Sequence, residues 1–328
     1  MGTFKRRFFE EGLCKKQGFP AERSRLLMQL TIYILARNSP ENLSRMLDSL
    51  LPWSPEEDTE IIIGDNSDNN CVLDLVHRRA AEFNGRLRCL KHVCNLGYSA
   101  NMLRSFEVAQ GRYLWIVGCN DRFLPGAVAR LKSILTHRDD AVLLFKVEGL
   151  KSNSWPLERV YDDFAELVKG IHIGPLQNIN SCVYHVGASR QQLASAYEGS
   201  SNLVPQLTLM AALLKAGHRL YFCPISIIER LPRDRRIWDP RVAWMTCWMI
   251  YPDLHDQYLW NQARGAIFDS WSKWILGIEK EGFVLTWPLV LYTIAQFGAR
   301  ALPMAIKITG RIVFRKLSCP GGAVSKPA

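Results

Sequence analysis

Five short apolar runs recur through the first half of the chain: LTIYIL at 30–35, EIIIG at 60–64, LRCLKHV at 87–93, YLWIV at 113–117 and AVLLFKV at 141–147. Each has strand length, and most show no polar face, as expected of strands covered on both sides. Amphipathic stretches lie between them. Over 41–51, Leu43, Met46, Leu47, Leu50 and Leu51 fall on one helical face, with Ser39 and Pro40 at the N-cap and first helical positions. Met102, Leu103, Phe106 and Ala109 repeat the pattern until Gly111 stops it, and Pro125 opens a third helix carrying Val128, Leu131, Ile134 and Leu135. Apolar strands alternating with such helices predict a doubly wound α/β fold, a mostly parallel sheet with helices on both faces. The second half is less regular. It predicts helices over 157–170 and 206–216, the latter ended by Gly217, and strands at 179–185 and 218–223.

Composition narrows the class. With 328 residues, 48% of them hydrophobic and 22% charged, the chain is too apolar to be disordered and too polar to be a polytopic membrane protein. The formal net charge of +10 resides at the ends: residues 1–27 carry seven Lys/Arg against three acids, and residues 299–328 carry six against none. The body between them is neutral, which argues against a nucleic-acid groove, and no nucleic-acid-binding module is present. Nine cysteines form no CxxC pair and no zinc spacing. Their odd number, and the lack of an uninterrupted apolar stretch in 1–27, predict a cytoplasmic protein. Met28, just ahead of the periodic pattern, is an alternative start.

Ligands of an open parallel sheet bind beyond the carboxyl ends of its strands. Those ends read Ala36-Arg37-Asn38, Asp65-Asn66-Ser67-Asp68, Asn95-Leu96-Gly97 and Cys119-Asn120-Asp121. One such cluster is ordinary turn chemistry; four in succession point to a polar site. The first strand-to-helix loop, ARNSPEN, has no glycine, which excludes the GxGxxG fingerprint, and no GxxxxGK[ST] loop occurs. A diphosphate bound here therefore needs a cation. Asp121, after the buried-looking YLWIV run, suits a hard divalent metal, and Asp65 suits ribose hydroxyls or a base N–H.

These residues carry a resemblance. The opening LTIYILARNSPENLSRMLDSL, the strand and turn EIIIGDNSD, the Asn95, Gly97 and Asn101 pattern in NLGYSAN, and YLWIVGCNDRFLPGA resemble, in order and spacing, glycosyltransferase family 2 with its GT-A nucleotide-sugar-binding fold. The likeness spans about 30–137 closely and 138–225 loosely, and is strongest to members that build O-antigen or other surface polysaccharides. It implies that Arg37, Asn38 and Asp65 contact the nucleoside and that Ala36, Ser67 and Asn120 belong to the same nucleotide-sugar pocket. It further implies that Asn101 with the Asn95–Gly97 turn lines the donor side, and that Asp121 holds Mg²⁺ or Mn²⁺ against the diphosphate. Inversion at the anomeric carbon is implied on the same ground.

Two departures stand out. The family's acidic triplet is reduced to one carboxylate, with Cys119 a soft neighbour. The acidic pair expected about 12 residues before a glycine falls on Pro205-Gln206, which carries no acid. The nearest upstream acid, Glu198, is the candidate catalytic base, with Asp162, Asp163, Asp234 and Asp239 as further candidates. The cluster Arg230, Arg233, Arg235 and Arg236 has the charge to close over a diphosphate, and His255 lies near Asp253 and Asp256.

Residues 282–299 form 18 consecutive uncharged positions interrupted by Pro288 and Gln296, followed by basic and apolar residues without acids. That pattern predicts a helix lying in an anionic membrane interface rather than spanning it. A plain helical subdomain or a dimer contact is the alternative. The expected organisation is a basic extension (1–27), a GT-A domain (28–230) with a nucleotide-sugar half (28–125) and an acceptor half (126–230), and a helical, basic, membrane-associating region (231–328). The expected function is sugar transfer from a nucleotide-sugar donor to a glycan or polyprenyl-diphosphate-linked acceptor, on the cytoplasmic face of the inner membrane. The rivals are a catalytically silent nucleotide-sugar-binding or scaffold protein and a nucleotidyltransferase.

Overall fold

The computed structural model describes residues 28–53, 58–149, 155–171, 173–198 and 205–231, with two isolated positions, Leu302 and Ile306. The extension 1–27 and nearly all of 231–328, including the expected membrane-associating stretch, lie outside the described residues. Among the described residues, no helix is long and apolar enough to cross a membrane.

The chain runs β1 (Leu30–Ala36), α1 (Pro40–Leu50), β2 (Thr59–Asp65), α2 (Cys71–Arg79), β3 (Leu87–Lys91), α3 (Gly97–Val108), β4 (Tyr113–Gly118), β5 (Asp121–Phe123), α4 (Ala127–Leu135) and β6 (Val142–Glu148). It continues through β7 (Arg159–Tyr161), α5 (Phe164–Ile171), α6 (Ile173–Leu176), a 3-10 turn (Ile179–Ser181), β8 (Cys182–His185), α7 (Val186–Gln191), α8 (Leu193–Glu198), α9 (Pro205–Lys215) and β9 (Leu220–Arg230). All five apolar runs become strands. The sheet order is β3-β2-β1-β4-β8-β6-β9-β5, with β7 also paired to β9.

Alternate side chains of β1 feed two cores. Tyr33 and Leu35 join the layer containing Phe106 of α3, Val168 of α5 and Leu209 of α9. Ile32 and Ile34 join the layer built with Leu43 of α1, Val76 of α2 and Leu131 of α4. Helices therefore cover both faces, as expected of an α/β fold. The expectation of a mostly parallel sheet needs correction. β3, β2, β1 and β4 run parallel, as do β6 and β9, but β8 is antiparallel to both its neighbours, and β5 and β7 are antiparallel to β9. The sheet is mixed, because apolar periodicity reports burial and is silent on strand direction.

The helix expected over 157–170 starts late. Arg159–Tyr161 pairs with Leu220–Phe222 as a strand, and α5 begins only after Asp163, whose Oδ1 accepts the Glu166 N–H at 2.9 Å. That capping bond marks the start which composition blurred. The 218–223 strand is instead the long β9, whose second half carries β5.

Candidate active site

Register brings the first strand ends to one level. Ala36 lies opposite Asp65, and Leu35 opposite Gly118, so the loops after β1, β2 and β4 share a rim. The Asn66 N–H donates to Ala36 O at 3.0 Å and the Cys119 N–H to Leu35 O at 3.1 Å, extending the ladder into those loops.

On the β1 side, Asn38 adopts a left-handed backbone conformation with φ of 49°, which asparagine tolerates better than most residues. Its N–H donates to Ser67 Oγ at 2.8 Å. Its side-chain amide donates to Asp68 Oδ2 at 2.7 Å and its Oδ1 accepts the Asp68 N–H at 3.0 Å. Arg37 pairs with Asp68 at 3.4 Å, with both side chains exposed. Arg37, Asn38 and Ser67 are thus brought together around Asp68. The Asn38 amide, aided by the Arg37 charge, holds the Asp68 carboxyl below the usual carboxylate range.

Asp65 is fully buried. Its Oδ1 accepts the Ser67 N–H at 2.7 Å, and its Oδ2 lies 3.2 Å from Lys91 Nζ. Lys91 also donates to Ser67 O at 2.5 Å and Asn69 O at 2.6 Å. The carboxylate expected to meet the ribose or base therefore sits beneath the rim and holds the 65–69 turn from inside. Lys91 is only partly buried, but losing it would strand the buried Asp65 charge. Lys91 carried no sequence signal beyond its place at a strand end.

The Asn95–Gly97 turn closes on itself through the Gly97 N–H to Asn95 Oδ1 at 3.0 Å, with Gly97 at φ +78°. Asn66 ties it to the β2 rim: its side-chain amide donates to Gly97 O at 3.0 Å and its Oδ1 accepts the Leu96 N–H at 3.3 Å. Asn101 faces inward, 2% exposed. Its amide donates to Gly64 O at 2.9 Å, while its Oδ1 accepts from Tyr33 OH at 2.8 Å and lies 3.0 Å from His92 Nε2. Asn101 fastens β1, β2 and α3 together beneath the rim.

Asn120 Oδ1 accepts from the Asn42 amide of α1 at 2.6 Å. Asp121, 1% exposed, opens β5. That strand is fixed by its ladder to β9, by Phe123 set edge-on to Trp115 at 4.9 Å, and by the Phe123 N–H to Ser49 Oγ bond of 3.1 Å. Asp121 Oδ2 accepts from the side-chain amide of Asn180. Among the described residues, no three His, Cys, Asp or Glu side chains converge as a metal site. A cation held by the Asp121 carboxylate fits Mg²⁺ or Mn²⁺, hard ions that take oxygen ligands, with diphosphate oxygens and water available to fill the shell.

Glu198 is placed elsewhere. It is exposed at the end of α8, next to Tyr197, whose hydroxyl donates to Glu107 at the far end of α3. A twelve-residue helix is about 18 Å long, so that end is remote from the rim where Gly97 starts α3. Asp163 caps α5 and Asp162 is exposed. Arg230 lies opposite Asp121 in the β5–β9 ladder. Arg233, Asp234, Arg235, Arg236, Asp239 and His255 lie outside the described residues.

Residues 31–188 match the family described as Glycosyl transferase family 2. Abequosyltransferase RfbV of Salmonella typhimurium is 27% identical over 122 residues, and the chain spans 37% of the length of that curated relative. TarS residues 1–349 from S. aureus superimpose with a TM-score of 0.62 at 13% identity, covering 88% of each chain. The same protein in complex with UDP-GlcNAc gives 0.59 at 14% identity, covering 86% of this chain and 81% of that one. At such identities the likeness is one of fold: α/β, GT-A-like, with a mixed sheet.

Proposed function

We propose that this chain, whose residues 31–188 match Glycosyl transferase family 2, transfers a sugar from a nucleotide-sugar donor to a glycan or polyprenyl-diphosphate-linked acceptor in surface-polysaccharide synthesis of the O-antigen kind. The observation that carries the reading is the shared rim at the ends of β1, β2 and β4, with the buried Asp121 carboxylate at its edge. Arg37, Asn38 and Ser67 offer donors and acceptors for the nucleoside. The Asn95–Gly97 turn, held by Asn66, borders the donor. Ala36 contributes backbone to the same rim, and Asn120 presents Asp121 from a position anchored on α1. TarS, crystallised with UDP-GlcNAc, supports a nucleotide-sugar donor; the name of RfbV supports a sugar transferase.

Mg²⁺ or Mn²⁺ at Asp121 would offset the charge that develops on the departing nucleoside diphosphate. The chain's own part is to hold the donor and position that carboxylate. Transfer with inversion also requires a base at the acceptor hydroxyl, and Glu198 is not placed to serve Asp121's neighbourhood from α8. The second reading, donor binding without turnover, is favoured by Gln206 at the start of α9, buried and donating to Gln177 O at 2.8 Å where an acid was expected.

The test is thermal unfolding with UDP, GDP, CMP and dTDP, each with and without Mn²⁺, followed by release of nucleoside diphosphate from the matching sugar nucleotide. A ligand at 100 times its Kd stabilises by about 2.7 kcal/mol, an increase of roughly 5–10 °C in Tm for a domain of this size. One nucleotide is expected to give a Mn²⁺-dependent shift, with turnover of its sugar form. A shift without turnover would favour the silent reading, and no shift with any nucleotide would overturn both.

Peripheral attachment to the cytoplasmic face of the inner membrane is part of the proposal and rests on residues 282–328. Deleting them is expected to move the protein from the membrane pellet to the supernatant. Unchanged sedimentation would remove that part.

A further inference from the structure

Asp121 opens a short strand, and a lone carboxylate that must present one oxygen to a cation needs its other oxygen held. Here the holder comes from the turn that leads into β8, the strand beside β4. Asn180 sits in the turn ahead of β8, 1% exposed, and its side-chain amide donates to Asp121 Oδ2. Because β8 runs antiparallel to β4, its beginning lies beside the end of β4, which is where Asp121 emerges.

Which end of the amide faces Asp121 follows from the rest of its contacts. Asn180 Oδ1 accepts the Gly118 N–H at 2.8 Å, a group that can only donate, so the NH₂ end must be the one turned to the carboxylate. The residue's backbone is fixed as well: its carbonyl accepts from Trp115 Nε1 at 3.0 Å, and its N–H donates to Asn178 Oδ1 at 3.1 Å. Trp115 also packs on Phe123 of the strand that carries Asp121. One side chain thus reads the position of β4 through Gly118 and imposes it on Asp121. The holder is neutral. An amide orients the carboxylate without adding a charge of its own beside it.

We infer that Asn180 is a positioning residue for the diphosphate-binding cation: it fixes the orientation of the Asp121 carboxylate, the one acid kept at that strand end. The inference rests on the donor site proposed above.

The experiment measures Tm against Mn²⁺ concentration, with and without the matching nucleoside diphosphate, in wild type, Asn180→Ala and Asn178→Ala. Partners that orient a metal-binding group typically change metal affinity 10–100-fold when removed. Asn180→Ala is expected to raise the Mn²⁺ concentration for half-maximal shift at least tenfold, while reaching the wild-type shift at saturating Mn²⁺ and nucleotide. That recovered shift shows that the Arg37–Asn38–Ser67 rim is still folded. Asn178→Ala leaves both Asn180 side-chain bonds in place and removes only the acceptor for its N–H. It is expected to raise the half-maximal concentration by a few-fold, and it supplies the reading if Asn180→Ala does not fold. Half-maximal concentrations within twofold of wild type in the folded variants would overturn the inference with the donor site intact. No Mn²⁺-dependent shift in wild type would instead overturn the metal site itself, and the inference with it.

Discussion

Asp121→Asn is expected to lower sugar transfer by about three orders of magnitude while leaving the protein folded. Asparagine is isosteric, and its side-chain carbonyl still accepts from the Asn180 amide. What disappears is the negative charge. If the bound cation supplies several kcal/mol of stabilisation to the departing diphosphate, at 1.36 kcal/mol per tenfold the loss is on the order of 10³-fold. The fold should survive, because the amide has the same shape and keeps the bond from Asn180. Steady-state release of nucleoside diphosphate across a Mn²⁺ titration, with Tm beside it, checks both halves. Activity within threefold of wild type would remove Asp121 from the cation site.

The largest stability effect is expected at Gly64, inside β2. A Cβ there would lie 2.2 Å from Tyr33 OH, 2.4 Å from Tyr33 Cζ and 2.5 Å from Asn101 Oδ1. None of these atoms belongs to a free surface arm: Tyr33 is fully buried and Asn101 2% exposed. Gly64→Ala must displace the ring, the amide or both, and so break the Tyr33–Asn101 hydrogen bond. Overpacking costs about 1–3 kcal/mol and a stranded buried polar group about 1–3 more. The sum corresponds to a fall in Tm of roughly 5–20 °C. Adding Tyr33→Phe removes the nearest atom, so the double variant is expected to be more stable than the sum of the two single losses predicts. Chemical denaturation of the four proteins tests this; simple additivity would mean that the clash is relieved elsewhere.

Much of the architecture was legible because burial leaves a pattern. LTIYIL, EIIIG and YLWIV are apolar on both faces and became the parallel centre of the sheet. The polar clusters at their ends did converge, since parallel neighbours in register end together. Orientation within a cluster was not legible. Asn101 and Asp65 have side chains suited to a ligand, yet both turn inward, because the chain needed an amide to bridge Tyr33 to Gly64 and a carboxylate to anchor Lys91. Asn180 was read as part of a strand in INSCVYH, and its partner is 59 residues away; no local period reports a bond of that separation. Glu198 was chosen for its place in the chain order. The helix that carries it packs on α3 and α9, away from the strand ends.

The reversal of β8 also bears on how such enzymes can be recombined. The boundary near residue 125 divides the sequence into two plausible modules, but the hydrogen bond from Asn180 to Asp121 crosses it, as does the bond from Asn180 to Gly118. A chimera that took the first module from this chain and the second from a relative would carry the carboxylate without its holder, even if both parts folded. Exchanges meant to alter acceptor choice therefore have to carry the turn at 178–181 together with the strand end it braces, or leave both behind.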